Sequence, residues 1–407
     1  MKRMSCWALL ILLLSIGLVS ASGAEEREIR IHTFAVPTMN KVNVRREPAG
    51  SIRATIDRDE SVYILDTTVK RGKTWCRVLL FREGWYQAYI QEDYLVPLHD
   101  LASDVIKVDG GANHALLLRS DGSCLALGSG FQSALKVTKW KGVKDIAAAR
   151  YYNAALLQDG NILYSKPDGV SSTAEVMQWR NVDKIFGTTF EVDLGGTVTG
   201  IDAYGNPMVT SSWETYMDDM PFSENWKGLR QFSYNTTLYG ETIAAALTED
   251  GTLYVMLSPP MERREPEIAP DLFRADGMKN VQQFAIGNRC LAVLTTDGSV
   301  HFFGRDEYGA KDCETWAGIK MIDACEQYVI GLRADGSVVM AGRMESRDCH
   351  PGVYAEGRHE TTYVNFSEDG QLDTWTDMVY IDASGQFILG IHADGSPDMI
   401  GSYRYNP

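Results

Sequence analysis

The chain has 407 residues, 44% hydrophobic and 23% charged, with 54 acidic against 39 basic side chains and a formal net charge of −15. Those proportions belong to a globular protein rather than a disordered or low-complexity chain, and the length asks for two or more folding units. A surplus of acid with no offsetting Lys/Arg stripe repels phosphate backbones and excludes nucleic acid as a partner.

Lys2 and Arg3 precede an apolar run from Trp7 to Val19, and the small residues from Ser20 to Ala24 follow before Glu25 and Glu26. This is the layout of an export signal over residues 1–24, cleaved after Ala21 or Ala24. The run falls short of the roughly 18–20 residues that span a bilayer, and no later segment is long and apolar enough to do so. The expectation is a secreted, extracellular product with no stable membrane insertion once the signal is cleaved. Cys6 leaves with the signal; Cys76, Cys124, Cys290, Cys313, Cys325 and Cys349 remain, at spacings that match no zinc site and assign no disulfide pairing.

Residues 36–98 are rich in β-branched and aromatic side chains, cut by turn signals at 48–50, 57–59 and 70–73. Short strands at such close spacing predict a small all-β barrel. Four segments, VNVRREP at 42–48, SVYIL at 61–65, TWCRVLL at 74–80 and AYIQEDYL at 88–95, together resemble a bacterial Src-homology-3-like domain. Ala88 stands where that family usually has Gly. The resemblance implies attachment to cell wall or to peptides, with Trp75, Trp85 and Tyr86 as candidate groove residues; a spacer domain whose aromatics are core is the competing reading.

From residue 102 to 407 the chain repeats. A turn pair recurs at Asp121-Gly122, Asp159-Gly160, Tyr204-Gly205, Asp250-Gly251, Asp297-Gly298, Asp335-Gly336 and Asp394-Gly395, each three residues after an aliphatic side chain. Asp-Gly between apolar runs supplies the positive φ of a tight hairpin, and alternate apolar positions mark buried strands. A second signature, Trp-x-x-aliphatic or Trp-x-x-Met, starts at Trp140, Trp179, Trp226, Trp316 and Trp375, while repeats one and five keep the strand without the Trp. Units that cannot bury both faces alone must stack. Seven of them, each expected to hold four short strands, predict a seven-bladed β-propeller after the small barrel, an all-β chain throughout. The stretches GGANHALLLRSDGSCLALG at 110–128 and GIKMIDACEQYVIGLRADGSVVMAG at 318–342 resemble the regulator of chromosome condensation repeat family. The third repeat departs most, with Tyr204 in place of Asp.

A search for chemistry finds no catalytic residue, no metal ligand set and no cofactor motif. His114 aligns with Tyr152, Thr197, Ile243, Cys290, Tyr328 and Phe387 in the other repeats, so it fills a packing position. Cys349-His350 pairs a nucleophile with a base, but neighbours in sequence rarely aim at each other and no third group orients them. Repeat phase instead places the long connections 211–225, 257–279 and 343–374 on one face, where recognition concentrates. Trp213, Tyr216, Phe222, Tyr354 and Tyr363 are the candidate partner-binding residues there, since aromatics in polar loops are interface anchors. The reading is a secreted, non-catalytic scaffold: the barrel anchors it to cell wall or peptide and the propeller loops take a protein or glycan. The alternatives are a secreted inhibitor of an extracellular enzyme, as some exported propellers of this repeat family resemble β-lactamase inhibitors, and a cell-wall hydrolase with a site assembled from scattered loops. The resemblance does not carry nuclear exchange-factor activity to an exported, acidic chain.

Overall fold

The computed structural model describes residues 29–58, 60–81, 85–111, 114–128, 136–149, 152–165, 176–188, 197–209, 226–236, 242–258, 270–306, 308–349, 362–385, 387–401 and 403–405. The expected export signal therefore lies outside the described residues. Strands dominate, and no helix among the described residues is long and apolar enough to cross a membrane.

Each repeat folds into one antiparallel sheet, and seven such sheets follow one another from residue 105 to 401. Their inner strands are Val105–Gly110, Val143–Ala148, Val182–Thr188, Leu229–Thr236, Val281–Ile286, Ile319–Cys325 and Met378–Ala383. Each lies against the next, and the last lies against the first, so the ring closes as a propeller. The middle and outer strands of each blade are joined at the Asp-Gly turn, whose seven glycines take φ between 76 and 89°. Six turn aspartates, Asp121, Asp159, Asp250, Asp297, Asp335 and Asp394, accept the backbone N–H two residues on, at 2.8–3.1 Å. In blade 3, where Tyr204 replaces Asp, Asp202 takes over and accepts the N–H groups of Tyr204 and Asn206 at 2.9 and 2.8 Å.

One clasp is common to all seven junctions. The carbonyls of Gly122, Gly160, Gly205, Gly251, Gly298, Gly336 and Gly395 each accept an N–H from the first residue of the next inner strand, at 2.9–3.4 Å. For Gly395 that residue is Val105, so the closing junction uses the same bond as the others.

The tryptophan signature has a partner. A Cβ on Gly200, Gly331 or Gly390 would come within 2.9 Å of the indole of Trp179, Trp316 or Trp375 respectively. Trp140 and Trp226 share buried clusters with Ala155 and Ala246 at the same strand position. Blades 1 and 5, which lack the Trp, carry Leu117 and Val293 there, both fully buried. A small residue opens space for the indole and a larger one fills it where the indole is missing, which keeps packing density constant.

The expectation of four strands per blade is not met among the described residues, where each blade has three. Outer-edge N–H groups are capped by side chains from the turns that follow: Val255 donates to Asp276, Phe302 to Glu314 and Met340 to Ser367, at 2.8–3.1 Å. These are equivalent positions, five residues after the turn aspartate, so a side chain does there what a fourth strand would do. A further small sheet joins Met344–Cys349 to Thr362–Val364 and, in parallel, to Tyr403–Tyr405.

Ahead of the ring, seven strands between Phe34 and Pro97 form one antiparallel sheet. Ile31–Pro407 make a single compact unit. Phe34, Tyr63, Leu79 and Leu98 of the N-terminal sheet and its exit turn share a buried cluster with Val105, Leu117, Phe387 and Leu389 of blades 1 and 7. The rings of Phe34 and Phe387 meet edge to face at 5.8 Å. Ser61 Oγ donates to the carbonyl of Gly128 at 2.8 Å and accepts its N–H at 2.7 Å, completing the end of blade 1's outer strand. Residues 98–100, between the N-terminal sheet and blade 1, form a short 3-10 turn against the outer strand of blade 7.

Candidate functional site

Strand alternation aims the side chains two and four residues into each inner strand at the ring axis. Those of every blade but blade 2 line a central channel of about 560 Å³. The first layer is Lys107, Asp145, Lys184, Gln231, Gln283, Met321 and Tyr380; the second is Asp109, Ala147, Phe186, Ser233, Ala285, Asp323 and Asp382.

Many of these groups stitch one blade to the next. Gln231 and Gln283 each bond both the N–H and the carbonyl of the following inner strand, at Phe284 and Ile322. Lys107 Nζ donates to Asp145 at 2.5 Å and to the Ile146 carbonyl at 2.9 Å. Asp323 and Asp382 accept the N–H of Ala383 and Gly110, each at 2.7 Å, so carboxylates bridge blades 6 to 7 and 7 to 1.

Three carboxylates of the second layer sit on the consecutive blades 6, 7 and 1. Burial pushes Asp109 up to about 7 and Asp323 up to about 6. Asp382 stands well above the usual carboxylate range, through burial and the charges of Asp109 and Asp323. Burial alone would depress the Lys107 ammonium; Asp145 and Asp109 outweigh it and leave its pKa raised. Chemically this is a polar, acid-weighted channel whose carboxylates are already held by backbone donors. Among the described residues no group of three or more His, Cys, Asp or Glu side chains is placed to hold a metal ion.

Of the sequence-predicted partner residues, Trp213, Tyr216, Phe222 and Tyr354 lie outside the described residues. Tyr363 is described, and it stacks on Tyr308 with ring centroids 4.5 Å apart and a 3.0 Å bond between the two hydroxyls. Tyr308 belongs to the connection between blades 5 and 6 and Tyr363 to that between blades 6 and 7, so the pair joins two connections on one surface.

In the N-terminal sheet, Trp75 is buried with the Arg45 guanidinium 5.8 Å from its ring centroid. Tyr86 is half-buried beneath the Arg53 guanidinium at 4.0 Å. Trp85 begins the same strand as Tyr86, and its side chain lies outside the described residues. Cys76, Cys124, Cys290, Cys313 and Cys325 are all buried; burial pushes the thiols of Cys76, Cys124 and Cys290 up to about 12, which leaves them protonated and inert at neutral pH. His114 is buried and bonds Asn153 at 2.9 Å, and burial drives its pKa down to about 4. Cys349 ends a strand, while His350 lies outside the described residues.

The channel residues were not singled out from sequence. Their signal is columnar: charged residues recur two and four places into the inner strand, but only ring closure brings Asp323, Asp382 and Asp109 together.

The fold and its lining define a seven-bladed β-propeller with a polar axial channel. No family model matches the chain, and no curated protein matches it in sequence. Among solved structures, the ectodomain of the receptor kinase CR4 from Physcomitrella patens is similar at 11% identity and a TM-score of 0.44, covering 74% of each chain. Human WBSCR16 is similar at 10% identity and a TM-score of 0.37, over 91% of this chain and 87% of that one. Prp20p of Saccharomyces cerevisiae, described with its binding to Gsp1p and histones, is similar at 15% identity and a TM-score of 0.33, covering 73% of this chain and 72% of that one.

Proposed function

We propose that this chain is a secreted, non-catalytic binding protein whose propeller, of regulator of chromosome condensation type, presents one face to a cell-wall glycan or a peptide-bearing partner. The observation that carries the reading is the Tyr308–Tyr363 stack. It holds two inter-blade connections together and leaves a pair of half-buried aromatic rings at the surface. Flat aromatic faces with hydroxyl tips suit sugar rings and peptide planes alike. The N-terminal sheet, read as a Src-homology-3-like domain, shares a core with blades 1 and 7, so sheet and propeller act as one body rather than as beads on a linker.

The test is sedimentation of the purified chain with cell-wall sacculi. The wild type pellets, and the double variant Tyr308→Ala/Tyr363→Ala stays in the supernatant with its melting temperature unchanged. Loss of pelleting in Arg53→Ala/Tyr86→Ala alone would move the wall contact to the N-terminal sheet. A wild type that never pellets would defeat the wall reading and put a soluble partner, such as an extracellular enzyme, in its place.

A further inference from the structure

Blade 7 differs from all six other blades at two positions, and from five of them at a third. The residue before the inner strand is Gly142, Asn181, Gly228, Asn280 or Gly318 in blades 2 to 6, each at positive φ between 57 and 66°. In blades 1 and 7 it is Asp104 and Asp377. Both are bound by the residue that ends the middle strand. Arg119 Nε donates to Asp104 at 2.8 Å in blade 1, and His392 Nδ1 lies 2.5 Å from Asp377 in blade 7. Blade 7 adds a second carboxylate, Asp398, where the other blades carry Leu125, Leu163, Met208, Tyr254, His301 and Val339. Asp398 is 2% exposed, and its Oδ2 stands 3.4 Å from His392 Nε2.

A neutral imidazole has one N–H and one lone pair, so it can donate to only one of these carboxylates and turns its lone pair toward the other. The imidazolium donates to both. Blade 1 uses a permanent cation in the equivalent place; blade 7 uses a titratable one. The strand that follows this turn holds Asp398, and the turn itself presents the Gly395 carbonyl to Val105 across the closing junction.

We infer that His392, clamped between Asp377 and Asp398, is an acid-strengthened latch that makes closure of the ring at the blade 7–blade 1 junction depend on pH. The charged groups facing the imidazole are Asp398 on the outer strand, Asp377 ahead of the inner strand and Asp394 in the turn; Asp104 across the junction is held by its own Arg119. The hydrogen bonds to Asp398 and Asp377 raise the His392 pKa above its usual value against the opposing effect of burial. The contribution is therefore fully present below the unfolded histidine value, roughly 6.5, and is lost as pH rises through the higher folded value.

The test is hydrogen exchange of the full chain near pH 6 and pH 8, corrected for intrinsic rates, comparing peptides over 103–110 and 141–148. The first holds the Val105 amide bonded to Gly395, and the second holds the equivalent Val143 amide bonded to Gly122. In the wild type, protection of 103–110 relative to 141–148 falls severalfold on going to pH 8. His392→Arg, which copies blade 1, keeps it at the pH 6 level at both values, and His392→Gln is low at both. Equal relative protection at the two pH values in the wild type would overturn the latch. So would an undiminished fall in His392→Arg, which would assign the pH dependence to the channel carboxylates instead.

Discussion

The closing junction and the six internal ones make an instructive pair. Every junction has the glycine-carbonyl clasp, yet among the described residues only the closing one is also covered by the N-terminal sheet, with Phe34 against Phe387 and Ser61 completing Gly128. Internal junctions join blades tethered by a few tens of residues. The closing one joins residues roughly 300 apart, and closure entropy growing by about 0.6 kcal/mol per doubling of length makes it about 2 kcal/mol harder to form. The same local bond therefore holds less securely there, and the extra apolar core offsets the difference. The N-terminal sheet, which looked from sequence like a separate module, packs as a clamp on the ring's closing seam.

The largest expected effect comes from removing that clamp. Phe34→Ala deletes a side chain 1% exposed at the closing junction, and should cost about 3–5 kcal/mol in a denaturant titration. Hydrogen exchange should open blades 7 and 1 before the others. If protection falls evenly round the ring, the closing junction is no weaker than the rest and the comparison fails.

A smaller effect is expected from pH acting through the channel. Asp109, Asp323 and Asp382 have folded pKa values raised above the unfolded carboxylate range. Their favourable contribution is present below the unfolded value and is lost as pH rises through about 6 to 7. The turn aspartates behave oppositely. Hydrogen bonds hold Asp250 at about 2 and keep Asp121, Asp297, Asp335 and Asp394 below their usual range, so their contribution disappears only as pH falls through those low values. Melting temperature should thus fall between pH 5 and pH 8. Asp382→Asn, whose amide oxygen can still accept the Gly110 N–H, should melt higher than wild type at pH 8 and alike at pH 5. Parallel melting curves would show that Asp382 is not the strained group.

The smallest effect sharpens the contrast between regular and irregular repeats. Asp202→Ala should cost about 1 kcal/mol, the worth of the turn bonds it accepts, whereas Tyr204→Asp should change the melting temperature little because Asp202 already fills that role. A large gain from Tyr204→Asp would mean that blade 3 is under-bonded after all.

The repeat number, the strand positions and the turn chemistry were legible because each rests on local geometry: Asp-Gly turns and aliphatic alternation act within about ten residues. Blade 3 looked doubtful because its turn aspartate sits two places early and because extra residues fall near Thr188–Gly196. The side-chain caps on the outer strands were not legible, since they come from Asp276, Glu314 and Ser367 in irregular connections. Nor was the channel, because Lys107 and Asp109 read as ordinary polar alternation until ring closure sets them beside Asp145 and Asp382. The Tyr308–Tyr363 pair was half legible: Tyr363 stood out as an aromatic in a polar loop, while its partner lay in a connection too short to attract notice.

The seven glycine clasps have a direction. Each blade gives one carbonyl to its successor and one N–H to its predecessor, and Gly395 to Val105 continues the series without a break. A cycle of this kind has no first member, so the chain's entry point at blade 1 is a matter of covalent order and not of bonding. A chain re-ligated to begin at any other blade would recover the same seven clasps, provided the N-terminal sheet still reached the seam it covers.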